Sequence, residues 1–398
     1  MGNSDGLSRR PVYMDHHATT PVDPRVLEAM LPYFSQVFGN AASVDHEYGA
    51  EAAHAVENAR QQVAQLINAQ PDEMIFTSGA TEADNLAILG VAEQYADRGN
   101  HMITCVTEHK AVLDPCRYLE RKGWQVTYVP VDQYGLVDPD NVRKAITPQT
   151  VLISVMMANN EIGTLAPVTE IGQIAHEYEV LFHTDAAQAV GHVPVDVEAM
   201  NVDLLSMSGH KIYGPKGVGA LYVRKRHPRV RLAPQMHGGG HERGMRSGTL
   251  NVPGIVGLGK ALDIAGQEME AEGQRLGGLR DRLWAGIQAE LDNVQINGHP
   301  IQRLPHNLSI AIPGIESRSI LVQLKHDVAL STGSACTTTN VKPSHVIVAL
   351  GHGEERAHCS VRFGLGRGNM DVDVDFVLAR LVWAVQYVWR MEASAATL

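Results

Sequence analysis

Long hydrophobic runs are missing from this sequence of 398 residues. No apolar stretch approaches the roughly 20 residues that a membrane-spanning helix requires. Residues 1–10 are small and polar and lack the apolar stretch of a secretory signal. We therefore expect a cytoplasmic protein that has no membrane partner.

Cysteine is also scarce, with four residues in the whole chain, Cys105, Cys116, Cys336 and Cys359. They show none of the paired spacing of a zinc site or a disulfide framework. The sequence therefore predicts reduced thiols, one of which can be chemical rather than structural.

Positive charge is in deficit, because 33 Lys and Arg face 44 Asp and Glu, which gives a net charge of −11. This balance argues against nonspecific binding of nucleic acid by the whole surface, so no nucleic-acid partner is expected. The hydrophobic fraction of 44% and the charged fraction of 19% are ordinary for a globular protein. At roughly 150 residues per domain, the length suggests two or three units.

Short β-rich runs alternate with helical segments between about Asn40 and Val223. The predicted strands are Glu73–Phe76, His101–Val106, Gln125–Val129, Val151–Val155, Val180–His183, Val202–Leu205 and Gly219–Val223. Several are apolar on both faces, as expected for parallel strands covered by helices on each side. The pattern predicts an α/β fold with a mainly parallel sheet.

A long helical pattern from about Val252 to Leu291 follows a glycine-rich stretch at residues 237–248. We place a domain boundary within it. The large domain is predicted to span residues 21–263. A small α+β domain is predicted to combine residues 1–20 and 264–398, including a mobile loop at about 331–342.

Lys211 and Asp185 indicate a cofactor site. A lysine amine can hold pyridoxal phosphate as a Schiff base, and an aspartate can keep the pyridine nitrogen protonated. The spacing of the two residues allows one crossover between neighbouring strands, so both side chains can project from the same sheet edge. The segment Thr77–Asn85 then suits a phosphate at a helix N-terminus, although the same residues fit an ordinary N-cap and turn.

Two histidine-containing segments allow more than one interpretation. His109 follows a predicted strand and could stack on a flat ring and move protons, or be structural. His237 and His241 could suggest a metal, but three glycines separate them, which rules out a helical two-histidine face. No metal site is expected.

Several motifs, in this order, resemble the class I cysteine desulfurases, which are pyridoxal-phosphate enzymes of fold type I in the class V aminotransferase-like superfamily. The matching segments are Ala18–Pro21, Thr77–Glu82, Thr107–Leu113, Asn159–Gly163, Ser208–Gly217, His237–Thr249, Gly333–Cys336 and Val361–Gly366. The residues His16 and His17 stand where the family varies.

The resemblance implies a role for each matching residue. Lys211 would bind the cofactor, Asp185 would pair with the ring nitrogen, and His109 would stack on the ring. Gln188 and Asn160 would lie near the ring hydroxyl. The phosphate would be held by Ala80, Thr81, Ser208 and His210, and by Thr249 of a second subunit, which implies a homodimer with shared active sites. Arg362 and Asn40 would bind the substrate carboxylate.

Cys336 decides which reaction is expected. It lies in a small, polar, aperiodic stretch, which predicts an exposed loop, whereas Cys105 and Cys116 suit buried positions. A thiolate on such a loop can take sulfur from cofactor-bound L-cysteine, leaving L-alanine, and carry it as a persulfide to an acceptor such as an iron–sulfur scaffold. A selenocysteine lyase or aminotransferase with an idle Cys336, or a noncatalytic sulfur-trafficking partner, are the alternatives.

Overall fold

The structure is a computed structural model that describes residues 10–332 and 343–395, with the side chains of residues 392–395 left out. Its strands are β1 (Val12–Tyr13), β2 (Met74–Thr77), β3 (His101–Cys105), β4 (Gln125–Val129), β5 (Thr150–Ser154), β6 (Leu181–Asp185), β7 (Leu204–Ser208), β8 (Gly219–Val223), β9 (Gln295–Asn297), β10 (Asn307–Ala311), β11 (Val328–Ala329) and β12 (Ser360–Gly364).

Helices connect and cover these strands. They are α1 (Pro24–Met30), α2 (Pro32–Ser35), α3 (Glu47–Leu66), α4 (Ala80–Gln94), α5 (Lys110–Glu120), α6 (Pro139–Ala145), α7 (Val168–Glu177), α8 (Val252–Glu290), α9 (Ser317–Leu324), α10 (His345–Ile347), α11 (Gly353–His358) and α12 (Asp371–Ala395). Short 3₁₀ turns occur at Pro71–Glu73, Gly209–Lys211 and Glu242–Gly244, and a π-helical turn at Val348–His352.

Seven strands form a large sheet in the order β2-β8-β7-β6-β5-β3-β4. Strands β3 to β7 pair in parallel, whereas β8 runs antiparallel to both of its neighbours, β2 and β7. Strand β2 therefore points in the same direction as the parallel strands. Their carboxyl ends meet at one edge of the sheet, where open α/β folds bind ligands.

Side chains alternate between the two faces of the large sheet, as the pleat of a strand requires. Ile103, Ile153 and Phe182 pack with α3, α7 and the first half of α8 on one face. Met102 and Leu152 pack with α4 and α5 on the other. Burial on both faces explains why these strands read as continuous apolar runs in the sequence.

A small antiparallel sheet, in the order β12-β10-β9, has a core of its own. Its apolar side chains pack against α9, α12 and the second half of α8. Helix α8 is 39 residues long and so spans about 58 Å. Residues 252–264 of this helix belong to the core of the large sheet, and Leu276 to Ile287 belong to that of the small sheet.

The N-terminal segment joins the small sheet to the ligand-binding edge of the large one. Strand β1 pairs in parallel with β11, and Asp15 then forms a bridge with Gly364 at the end of β12. A Cβ atom at Gly364 would lie 2.9 Å from the backbone nitrogen of His17, so only glycine permits this close approach. The approach brings Asp15 and His17 to the ends of the large-sheet strands.

The structure confirms the seven strands and the long helix predicted from sequence, with shifts of a few residues at their ends. It adds one refinement, because β8 is antiparallel within a sheet predicted as mainly parallel. The domain boundary at residues 263 and 264 stays a prediction. Within residues 10–332 and 343–395, no helix combines the length and the apolar character needed to span a bilayer.

Candidate active site

A cavity of about 580 Å³ opens at the carboxyl ends of the large-sheet strands. Nine predicted cofactor residues line it, namely Ala80, Thr81, His109, Asn160, Asp185, Gln188, Ser208, His210 and Lys211. They come from five different strand ends and the segments that follow them. The chain also contributes Lys216 to the wall, a residue that the motif analysis did not assign.

Lys211 ends the 3₁₀ turn that follows β7, and its side chain is half-buried in the cavity wall. The Nζ atom donates hydrogen bonds to the backbone oxygens of His17 and, at 2.9 Å, of Ala18. Burial, and to a smaller extent the nearby charge of Arg362, lower the pKa of Lys211 to about 8, although Asp185 and Asp15 oppose the shift. A lysine with this pKa has a larger neutral, nucleophilic fraction near pH 7 than an ordinary lysine has.

Asp185 is the last residue of β6 and is buried at the base of the cavity. Among the described residues, its carboxylate accepts a single hydrogen bond, from the backbone nitrogen of Ala187 at 2.9 Å. Burial raises the pKa of Asp185, and Lys211 and His109 partly offset that effect. A buried carboxylate with so few donors is suited to a cationic partner in the cavity.

Two more buried acids lie near Asp185. Burial raises the pKa of Asp84 and of Glu108 well above the ordinary value, and the charge of Asp185 adds to both shifts. Asp84 lies 3.5 Å from His183, whose own pKa burial lowers to about 3. Burial therefore disfavours the charged form of each of these groups, and Asp185 is the acid of this cluster that faces the cavity.

His109 is the N-cap of α5, and this role fixes its ring. Its Nδ1 atom accepts a hydrogen bond from the backbone nitrogen of Ala111 at 3.1 Å. The proton of a neutral ring therefore sits on Nε2. This imidazole lies at the cavity wall with one nitrogen in use and the other available for proton exchange.

Helix α4 begins with Ala80 at the cavity, directly after β2. The first amides of any α-helix lack intrahelical partners, and here the N-cap, Gly79, which has φ of +149°, provides no side-chain cap for them. Ser208 and His210 stand opposite, and burial lowers the pKa of His210 to about 4. Free amides and the positive end of the helix dipole suit an anion such as a phosphate group.

Arg362, on β12 of the small sheet, is buried beside the cavity rather than in its wall. Its Nη1 atom donates to the backbone oxygen of Asn160, and its Nη2 atom donates to Oδ1 of Asp15, both at 2.8 Å. Its Nε atom is buried and has no hydrogen-bond partner among residues 10–332 and 343–395. Asp15 was not singled out from the sequence, where the only signal was a carboxylate shortly before the Ala18–Pro21 motif.

Asn40 and Thr249 do not line this cavity, and both are exposed. The segment that contains Thr249 is held near the N-terminus of α4, because Arg246 forms an ion pair with Glu82 of that helix at 2.8 Å. Asn40 instead closes a local turn by accepting from the backbone nitrogen of Ala42. Neither residue therefore reaches the cavity of its own chain.

Three of the four cysteines are buried, namely Cys105, Cys116 and Cys359. Burial raises the pKa of Cys105 and of Cys116 to about 12 and also raises that of Cys359. This outcome confirms the buried positions predicted for Cys105 and Cys116. Cys336 lies outside the described residues.

Pyridoxal phosphate fits this set of residues on three observations. A lysine with a lowered pKa lies across the cavity from a buried, sparsely bonded carboxylate. A helix whose first amides have no side-chain cap begins at the same cavity. Amine, carboxylate and anion site therefore match the aldehyde, the ring nitrogen and the phosphate of that cofactor.

Comparison with known proteins decides the family, since residues 12–377 match the family described as Aminotransferase class-V. The chain belongs to this class-V aminotransferase family. It is 55% identical over 368 residues to a cysteine desulfurase IscS from Anaeromyxobacter dehalogenans (strain 2CP-C), covering 92% of this chain and 91% of that one. Within the class-V family it therefore belongs to the cysteine desulfurase group, whose members are pyridoxal-phosphate-dependent enzymes.

Similar solved structures agree with this assignment. A NifS-like protein superposes with a TM-score of 0.89 at 38% identity, covering 95% of this chain and all of that one. A protein solved as SspA in complex with cysteine gives a TM-score of 0.80 at 38% identity, covering 89% of this chain and 98% of that one. The family resemblance and the fold class predicted from sequence are confirmed, and the roles of individual site residues stay predictions.

Proposed function

We propose that this enzyme converts L-cysteine to L-alanine and holds the released sulfur as a persulfide on Cys336 before passing it to an acceptor protein. The observation that carries the proposal is the convergence of Lys211, Asp185 and His109 on one cavity, with Arg362 beside it. The identity to named cysteine desulfurases supports the same reaction.

Pyridoxal phosphate would be held by Lys211 covalently, by Asp185 at the ring nitrogen, and by Gln188 and Asn160 near the ring hydroxyl. The phosphate would lie at the amides of Ala80 and Thr81, close to Ser208 and His210. When bound, this cofactor supplies the electron sink that weakens bonds to the α- and β-carbons of an attached amino acid.

Lys211 and His109 carry the proton transfers in this proposal. The pKa of about 8 for Lys211 lets its amine give up and regain a proton near neutral pH. The ring of His109 is fixed through Nδ1, so its Nε2 atom is the one that exchanges protons. Lys211 and His109 lie at separate points of the cavity wall. This arrangement suits a reaction in which one proton is removed from the substrate and other protons are added later.

Arg362 would bind the carboxylate of the substrate. Within the part of the chain that the structure describes, its Nε atom has no hydrogen-bond partner, and Asp15 and Asn160 hold its two terminal nitrogens in place. A guanidinium held in this way can offer parallel donors to a carboxylate, which a lysine cannot. The proposal also assigns Asn40 to this carboxylate, with support from the family resemblance alone.

Sulfur transfer is assigned to Cys336 because the other cysteines are unsuitable nucleophiles. Cys105, Cys116 and Cys359 are buried, and their raised pKa values keep them as thiols. The thiolate of Cys336 attacks the substrate sulfur, so that a sulfur–sulfur bond forms as the carbon–sulfur bond breaks. The electron pair of the broken bond stays with carbon, which takes up a proton and leaves as alanine.

The proposal includes a homodimer, as the family resemblance implies, and it is supported by Thr249, which is exposed and lies outside the cavity of its own chain. In a dimer it would reach the phosphate in the partner subunit. An iron–sulfur scaffold is our first choice of acceptor, and the cytoplasmic location stays a prediction from the sequence.

Persulfide mapping tests the proposal directly. After incubation with L-cysteine, mass spectrometry of the wild-type protein should find one added sulfur atom on Cys336, together with free alanine. A Cys336→Ser variant should still bind cysteine but form little persulfide or sulfide. A Cys116→Ser variant is the matched control and should behave as the wild type. Sulfur on another cysteine, or full turnover by Cys336→Ser, would contradict the assignment and favour a related lyase.

A further inference from the structure

His17 makes two contacts with the side chain of Gln188, and both are buried. The Nδ1 atom of His17 lies 2.9 Å from Oε1 of Gln188, and Nε2 of Gln188 donates to the backbone oxygen of His17 at 3.0 Å. The same backbone oxygen accepts from Nζ of Lys211. One residue outside the cavity wall therefore contacts two residues that line it.

These contacts fix the orientation of the Gln188 amide. The backbone oxygen of His17 can only accept a hydrogen bond, so the amide atom that faces it must be nitrogen. The amide oxygen then faces the imidazole, and Nδ1 of His17 must carry the ring proton. The second hydrogen of Nε2 is the one that remains for a molecule bound in the cavity.

A column of imidazole rings supports His17 from behind. Its ring stacks on that of His306 at 4.4 Å, and His306 packs against His192 at 4.2 Å. The Nε2 atom of His192 contacts the backbone oxygen of Lys211 at 2.9 Å. All three rings are enclosed, and burial lowers the pKa of each, so they are neutral at neutral pH and do not repel one another.

We propose that His17 is a positioning residue for the cofactor site, holding the Gln188 amide so that its N–H donates to the bound cofactor. The inference rests on the proposed function, in which Gln188 lies near the ring hydroxyl. A donor at that oxygen favours its ionised form. An amide held at both of its polar atoms is better ordered for this task than one held at a single atom.

Two substitutions separate the hydrogen bond from the packing. His17→Asn keeps a nitrogen donor on Cγ, in the position of Nδ1, but removes the ring that stacks on His306. His17→Phe keeps a ring against His306 but removes the donor. The Asn variant should therefore lose thermal stability and keep cofactor binding, whereas the Phe variant should bind the cofactor more weakly.

Two measurements test the effect of these substitutions on cofactor binding and do not require catalytic turnover. We expect apoprotein of His17→Phe to bind pyridoxal phosphate about fivefold to tenfold more weakly than wild type, the effect of losing one buried hydrogen bond. The midpoint of the spectral pH titration of the bound cofactor should rise in this variant. His17→Asn should match the wild type in both measurements.

The outcomes distinguish this inference from the function on which it rests. Wild-type protein that binds no pyridoxal phosphate would contradict the proposed function itself. If wild type binds it, and His17→Phe shows the same affinity and the same titration, the positioning role is wrong. Equal losses in both variants would also refute it, because they would assign the effect to ring volume instead of to the Nδ1 donor.

Discussion

The lowered pKa of Lys211 makes the stability of the apoprotein depend on pH in a defined range. The pKa of this amine is 10.5 in the unfolded chain and about 8 in the folded one. At about 1.4 kcal/mol for each pKa unit, the shift corresponds to a change of about 3 kcal/mol in the free energy of unfolding. The unfolded chain binds the extra proton between these two pH values, so the folded state gains relative stability as pH rises from about 8 to 10.5. Below pH 8 the amine is charged in both the folded and the unfolded state, so the cost of burying the ammonium does not change with pH in that range.

A Lys211→Met variant isolates this effect, since it keeps a long side chain and removes the titrating group. Urea unfolding of both apoproteins at fixed protein concentration should give a difference in unfolding free energy that is constant below pH 8. Between pH 8 and 10.5, the wild type should gain up to about 3 kcal/mol on the variant. A difference that stays flat through this range would refute the assigned pKa and its origin in burial.

Further predictions concern Arg362 and a buried ion pair. Arg362→Lys should raise KM for cysteine about tenfold or more with a smaller change in kcat, because it removes a bidentate donor; steady-state kinetics showing an unchanged KM would contradict carboxylate binding there. Glu242→Gln leaves the buried guanidinium of Arg60, now 2.8 Å from that carboxylate, with only the exposed Glu57 as a counter-charge and should destabilise the protein by about 3 kcal/mol in urea unfolding. A loss no larger than that of Glu177→Gln, in the exposed pair with Arg143, would contradict this reasoning.

The strands of the large sheet could be predicted because most are buried on both faces. Residues such as Ile103 in β3 and Ile153 in β5 lie in continuous apolar runs. Helices whose apolar residues recur every three or four positions separate these runs. The antiparallel direction of β8 could not be predicted in this way. Its sequence is as apolar as that of its neighbours, and direction depends on the path of the loop that precedes it.

Motif analysis identified the cavity residues that follow strand ends, since a parallel sheet brings those ends together. It missed Asp15 and His17, which reach the site from a segment that pairs with the small sheet. Nothing local marks such residues, because their role depends on contacts with Arg362 and Gln188, far away in the sequence. The local sequence also could not predict that Asn40 and Thr249 lie outside the cavity of their own chain.

Helix α8 also limits how this chain can change in length. It joins the two cores through a continuous stretch between Ala265 and Leu276. One inserted residue in this stretch would turn the downstream half by about 100° and advance it by about 1.5 Å. Arg362 would then be carried away from Lys211, or the helix would have to bulge to absorb the extra residue. We therefore expect insertions here to be tolerated only near whole numbers of turns, whereas surface loops can grow one residue at a time.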